Sequence, residues 1–150
     1  LLDARTFNQG YETVRYAASA IVDLAAHART DGTLPDVTAL EAEVVQRIGL
    51  PSAIGMNHRL PQFQHLFAGS SYAAGYYVYL WAEVLDADGF DAFVEAGDPF
   101  DPAVAARLRR FIYAAGNSVE PGAAFRAFRG RDPAVEPMLR KRGLLEVAPG

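Results

Sequence analysis

The chain has 150 residues, 51% hydrophobic and 21% charged, the balance of a globular domain with a core rather than of a disordered segment. Its 18 acidic and 14 basic residues are spread along the chain and sum to a net charge of -4, so no basic stripe follows a nucleic-acid backbone. With no cysteine it has neither disulfides nor thiolate ligands, which fits a reducing compartment, and a cytoplasmic location is expected.

Leu1-Leu2-Asp3-Ala4-Arg5 lacks the basic start and apolar run of a signal peptide. The chain begins without Met and with a helical pattern already under way, so it is expected to be a piece of a longer protein. The most apolar stretch, Ala17 to Ala26, is short and interrupted by Asp23, and it cannot span a membrane.

From about Ala4 to Ala28, Phe7, Tyr11, Val14, Ala18, Ile21, Leu24 and Ala25 recur at helical spacing, with Gly10 as an early weak point. Asp31-Gly32 and Leu34-Pro35 end this helix. Thr38-Ala39-Leu40-Glu41 has the form of a capping box, opening a helix with Leu40, Val44, Val45 and Ile48 on one face, and Gly49-Leu50-Pro51 stops it. Residues 51–71 read as a loop, rich in Pro, Gly and Ser, that also carries His58, Phe63, His65 and Phe67.

A strongly apolar helix is predicted from about Tyr72 to Asp86, broken at Asp88-Gly89 and followed by a short run from Phe90 to Val94. Asp101-Pro102 opens a helix to about Ala114 that Gly116 ends. Pro121 to Phe128 is a short helix closed by Gly130. Asp132-Pro133 opens the last one, closed by Gly143, with Arg140, Lys141 and Arg142 in its final turn. There is no repeat and no convincing strand. The expected fold class is all-α.

Chemistry concentrates between Phe63 and Trp81. Tyr72, Tyr76 and Tyr79 stand at i, i+4 and i+7, which puts three phenols on one face of the predicted helix. Tyr77 and Trp81 fall elsewhere, at a spacing that lets them pack together in the core. An aromatic stripe at this spacing suits a plain core. Against that, every buried phenol oxygen needs a hydrogen-bond partner, and three on one face is a heavy demand. Phenols beside an imidazole also suit an anionic intermediate, because they donate hydrogen bonds without bringing negative charge. The residues alone leave both readings open.

The run His65-Leu66-Phe67-Ala68-Gly69, followed by Tyr72-Ala73-Ala74-Gly75-Tyr76-Tyr77-Val78-Tyr79-Leu80-Trp81-Ala82-Glu83-Val84-Leu85, closely resembles the tyrosine- and glycine-rich segment of the thimet oligopeptidase and peptidyl-dipeptidase family of zinc metallopeptidases. Phe7-Asn8-Gln9-Gly10-Tyr11 resembles the family segment just past the zinc ligands. Phe125 to Arg131 and Leu139 to Leu144 resemble its carboxyl terminus. The likeness covers essentially the whole chain and is strongest to the bacterial peptidyl-dipeptidase branch. It implies that residues 1–150 are the carboxy-terminal helical part of a catalytic domain whose zinc-binding part lies upstream.

The resemblance also implies roles. His65 matches a histidine that contacts substrate and helps stabilise the tetrahedral intermediate, and Tyr76 and Tyr79 match donors to the developing oxyanion. Tyr72 matches a tyrosine that binds the substrate backbone. Gly69 lies in the glycine-rich loop over the cleft, where Ser70 and Ser71 replace the usual glycines or Asp-Gly pair. His58 either lines the cleft or caps the loop. The family's His-Glu-x-x-His zinc motif is missing, so zinc is expected in the full-length enzyme and no metal in this chain. His27 reads as structural, Arg107, Arg109 and Arg110 as solvated, and the acidic residues from Asp86 to Glu95 as surface. The expected partners are short peptide substrates and the upstream part of the same protein, with no nucleic acid and no membrane. The alternative is a non-enzymatic helical binding or interaction module.

Overall fold

The computed structural model describes residues 2–145, so the expected domain span of 1–150 extends past the described residues at both ends. Among the described residues all regular structure is helical and no strand is present, as the all-α expectation requires. The helices are α1 (Leu2–Thr6), α2 (Gln9–His27), α3 (Val37–Arg47), α4 (Gln64–Phe67), α5 (Val78–Ala96), α6 (Pro102–Leu108), α7 (Pro121–Arg129) and α8 (Glu136–Lys141). None is long and apolar enough to cross a membrane. The chain divides into two compact units, residues 7–80 and residues 81 onward together with Ala4–Thr6.

In the first unit, Val22 of α2 and Val44 of α3 share a core with Leu60, Phe63 and Leu66, closed by Ile21, Leu40, Met56 and half-buried Tyr76. The helix expected from Ala4 to Ala28 is not continuous. It breaks at Phe7 and Asn8, and Asn8 takes a left-handed conformation (φ 58°) that its short polar side chain tolerates. Gly10, the expected weak point, lies inside α2.

The capping box at Thr38 is also corrected. Asp36 is the cap, its carboxylate accepting from the backbone N–H of Thr38 at 2.9 Å and of Ala39 at 3.1 Å. Glu41 does not turn back to the cap. It is buried, and it accepts from the Leu60 N–H at 2.6 Å and from the Arg59 guanidinium. That anchor shapes the segment expected to be loop, which contains a 3-10 turn at Leu60–Gln62 and then α4.

A further correction concerns the tyrosines. Residues 72–77 are successive turns, and α5 begins only at Val78, so Tyr72, Tyr76 and Tyr79 do not share one helix. Ala74 sits in the left-handed region (φ 57°), which no α-helix accommodates. The Gly75 N–H takes the Tyr72 carbonyl at 2.9 Å, the place where a helix would put Tyr76. Nor do Tyr77 and Trp81 pack together in a core: they are 48% and 44% exposed.

In the second unit α5 runs through Asp88-Gly89 without a break, contrary to expectation. A Cβ on Gly89 would come 3.7 Å from the Phe128 ring, an ordinary van der Waals contact. Asp88 is fully buried rather than on the surface. Its carboxylate accepts from Arg129 at 3.1 Å, from Arg131 at 2.6 and 2.7 Å and from the Ala134 N–H at 2.8 Å. These bonds hold residues 131–134 as a strap, so Asp132-Pro133 does not start a helix. Asp132 instead receives Arg126 at 2.8 Å, and α8 opens at Glu136-Pro137.

The basic end of α8 lies along α5, Arg140 on Asp91 at 2.6 Å, Lys141 on Asp86 at 2.8 Å and Arg142 on Glu83. Ala92, Val104 and Phe128 form the core beside Phe93, Leu108, Phe111 and Ile112. From Leu108 the helix continues through a wider π turn, Arg109–Tyr113, marked by the Ala114 N–H on the Arg109 carbonyl at 2.8 Å.

Candidate functional site

The site begins with Asp23. It stands one turn before the end of α2, in its apolar stretch, and is fully buried, where an uncompensated carboxylate is very costly. Its oxygens are satisfied from two directions. His27, one turn on, places Nδ1 2.8 Å from Oδ1. The backbone N–H of Ala74 donates to Oδ1 at 3.0 Å and that of Tyr76 to Oδ2 at 2.9 Å. Tyr16, also on α2, stacks on the Tyr76 ring with centroids 4.8 Å apart, and its hydroxyl donates to the Tyr76 carbonyl at 2.9 Å.

Fixed in this way, the turn gathers the expected residues although they are not on one helix. His65 on α4 lies in the middle, its ring 4.3 Å from Tyr72, 6.0 Å from Tyr76 and 5.9 Å from Tyr79. Its Nε2 is hydrogen-bonded to the Tyr79 hydroxyl at 3.0 Å. Tyr76 and Tyr79 meet edge to face at 5.6 Å. Buried Phe63 supports the cluster, 4.8 Å from Tyr76, and His58 stacks on Phe63 with centroids 4.2 Å apart. Gly69, Ser70 and Ser71 are exposed, and Gly69 has open space around it. His27 is occupied by Asp23, in keeping with a structural role.

Burial raises the Tyr76 phenol above its ordinary pKa, against an opposing hydrogen bond with Tyr16. Burial also raises Tyr79, helped by the Tyr72 and Tyr76 phenols beside it. Both therefore stay protonated at neutral pH and keep an O–H to donate. With Tyr72 and Tyr79 38% and 45% exposed, these donors are open to solvent on one side. The arrangement suits an incoming carbonyl oxygen that gains negative charge.

Two residues that matter here were not legible as site residues. Asp23 read only as an interruption of an apolar helix, and Glu41 as half of a capping box. The available signal was the single charge at Asp23 inside an otherwise apolar decade of residues. Among the described residues, no group of three or more His, Asp or Glu is arranged to hold a metal ion. The second unit contains a cleft of about 810 Å³ lined by Trp81, Leu85, Phe90, Phe93 and Phe125, with Asp86 and Asp132 as its charged members. Its lining is mainly apolar and brings together no set of convergent polar groups.

Comparison with known proteins agrees with the family resemblance of the sequence. Residues 1–144 match peptidase family M3. The chain is 42% identical to a probable cytosolic oligopeptidase A of Arabidopsis thaliana, over 99% of this chain and 22% of that protein. It is 38% identical to a dipeptidyl carboxypeptidase of Escherichia coli (strain K12), over 95% of this chain and 21% of that protein. An oligopeptidase A of Haemophilus influenzae is 36% identical, over 97% of this chain and 21% of its own length. The chain thus spans about a fifth of the length of these relatives. Given a match over nearly all of its length, the chain belongs to peptidase family M3.

Proposed function

We propose that this chain is the substrate-binding and oxyanion-stabilising part of a zinc-dependent oligopeptidase that hydrolyses short peptides, and that it is inactive by itself. The observation that carries the reading is the cluster of His65, Tyr72, Tyr76 and Tyr79, with the His65–Tyr79 hydrogen bond at its centre. The described residues do not fit a zinc site, so the metal would be held by the upstream part of the same protein. The chain's own residues supply neutral donors. Tyr76, Tyr79 and His65 would hydrogen-bond the scissile carbonyl oxygen as it becomes an oxyanion, and Tyr72 would hold the peptide backbone. Gly69 and His58 would contact substrate at the edges of the cluster. A cytoplasmic setting accords with the lack of cysteine and with the likeness to the probable cytosolic oligopeptidase A of Arabidopsis thaliana.

The test is steady-state hydrolysis of a short peptide by the full-length protein. Tyr76→Phe and Tyr79→Phe each remove one hydroxyl, and each should lower kcat roughly 10²- to 10³-fold with little change in KM. Tyr72→Phe should chiefly raise KM, and His65→Ala should lower kcat/KM without loss of zinc. Near wild-type kcat in both tyrosine variants would overturn the oxyanion assignment. Retained peptide affinity with no dependence of kcat on these residues would favour a binding module without chemistry.

A further inference from the structure

We propose that Asp23 is a positioning residue for the tyrosine cluster: its buried carboxylate holds the Ala74–Tyr76 turn in the register that sets Tyr76 beside His65 and Tyr79. The inference rests on the oxyanion reading of Tyr76 and extends it to a residue that touches no substrate.

Three observations carry it. First, Asp23 spends its capacity on distant backbone, accepting from N–H groups 51 and 53 residues along the chain. Its own helix needs no carboxylate at that place. Second, the turn it grips is strained. Ala74 is left-handed at φ 57°, a conformation that a non-glycine residue keeps only where the surroundings impose it. Asp23 takes the N–H of the strained residue itself and the N–H two residues on, while the Gly75 N–H between them closes the turn on the Tyr72 carbonyl. Third, Asp23 does not act alone: His27 fixes one oxygen from behind, and Tyr16 clamps Tyr76 by stacking and by its bond to the Tyr76 carbonyl. Both backbone groups of Tyr76, N–H and C=O, are thereby tied to α2. A turn held at both ends of one residue places that residue's phenol with little freedom, as an oxyanion donor requires.

Losing the carboxylate leaves the Tyr76 ring in the molecule but frees its backbone. A misplacement on the order of 1 Å at a catalytic group can lower a rate about 10²-fold. The experiment is a double-mutant cycle in the full-length enzyme, with Asp23→Asn, Tyr76→Phe and the pair, reading kcat and KM separately. Asp23→Asn should lower kcat roughly 10- to 100-fold, with KM much less affected. In the Tyr76→Phe background the same substitution should change kcat by less than about threefold, since the hydroxyl it positions is already gone.

Equal losses from Asp23→Asn in both backgrounds, or an unchanged kcat in the single variant, would overturn the proposal while leaving the Tyr76 assignment standing. If Tyr76→Phe itself keeps wild-type kcat, the oxyanion reading fails and takes this inference with it. Should Asp23→Asn not fold, judged by circular dichroism and thermal unfolding, Tyr16→Phe replaces it in the cycle. That variant removes only the hydroxyl bonded to the Tyr76 carbonyl, and the same non-additivity, smaller in size, is expected. Additive losses there would overturn the proposal equally.

Discussion

Asp23 in the first unit and Asp88 in the second are both fully buried carboxylates on 19-residue helices, and both bind a segment far away in sequence. They differ in what answers the charge. Asp23 meets backbone N–H groups and a histidine. Asp88 meets two guanidinium groups, and one of them, Arg129, is itself 4% exposed and bidentate to Glu95 at 2.8 Å. The first arrangement fixes a strained turn beside exposed phenols, and the second ties a strap to a core. Both carboxylates tie down distant backbone, but only Asp88 also gathers two guanidinium groups.

The largest expected effect tests that contrast on stability. Asp88→Asn removes one of the two counter-charges of buried Arg129 and the partner of Arg131, a loss of up to about 3–5 kcal/mol, the scale for deleting one member of a buried pair. Asp23→Asn weakens hydrogen bonds to backbone amides, at about 1–3 kcal/mol. Urea unfolding of both variants measures the difference, and equal losses would erase the distinction drawn above.

A smaller effect should appear with acid. Burial alone would raise Asp88, but hydrogen bonds from Arg131, the Ala134 N–H and Arg129 outweigh it and hold the carboxyl below its ordinary value. Arg142 likewise lowers Glu83, against burial. A carboxyl with a lower pKa in the folded state contributes stability that is complete above its unfolded value, about 4, and is lost as pH falls through the lower folded value. Urea midpoints should therefore drop steeply on going below about pH 4, and Asp88→Asn should flatten the drop. A variant profile parallel to wild type would show that Asp88 is not the group responsible.

The smallest effect sets the scale for an exposed aspartate. Asp36 caps α3 from the surface, and Asp36→Ala should cost about 1 kcal/mol with catalysis untouched, measured by the same unfolding assay. A loss as large as that of Asp88→Asn would mean that burial is not what separates these aspartates.

Helix starts and stops marked by Pro, Gly and Asp were legible in the sequence, as at Asp101-Pro102 and Gly130, because the signal and its cause lie within a few residues. The all-α class followed from the same local pattern. Where the reading failed, a distant partner had captured local groups. Asp88 takes the Ala134 N–H, so Asp132-Pro133 starts no helix, and Glu41 takes the Leu60 N–H, so Thr38 heads no capping box. The tyrosines were the mixed case. Their spacing suggested a common face, and they do meet around His65, but through a turn that Asp23 imposes from 51 residues away. Residue types marked the site, while its backbone was written elsewhere in the chain.

The π turn at Arg109–Tyr113 has a consequence for how this family's sequences line up. A π turn holds one more residue than an α turn while the flanking helix keeps its direction. Removing one residue from 109–113 would restore regular α geometry and leave the chain beyond on its present face, because the π turn already absorbs the roughly 100° that an extra residue would add to an α-helix. A relative with a one-residue gap at this place should therefore keep its apolar pattern on the same face on both sides of the gap, with Phe111 and Ile112 still on the core, and a relative without the gap should keep the extra residue as a bulge.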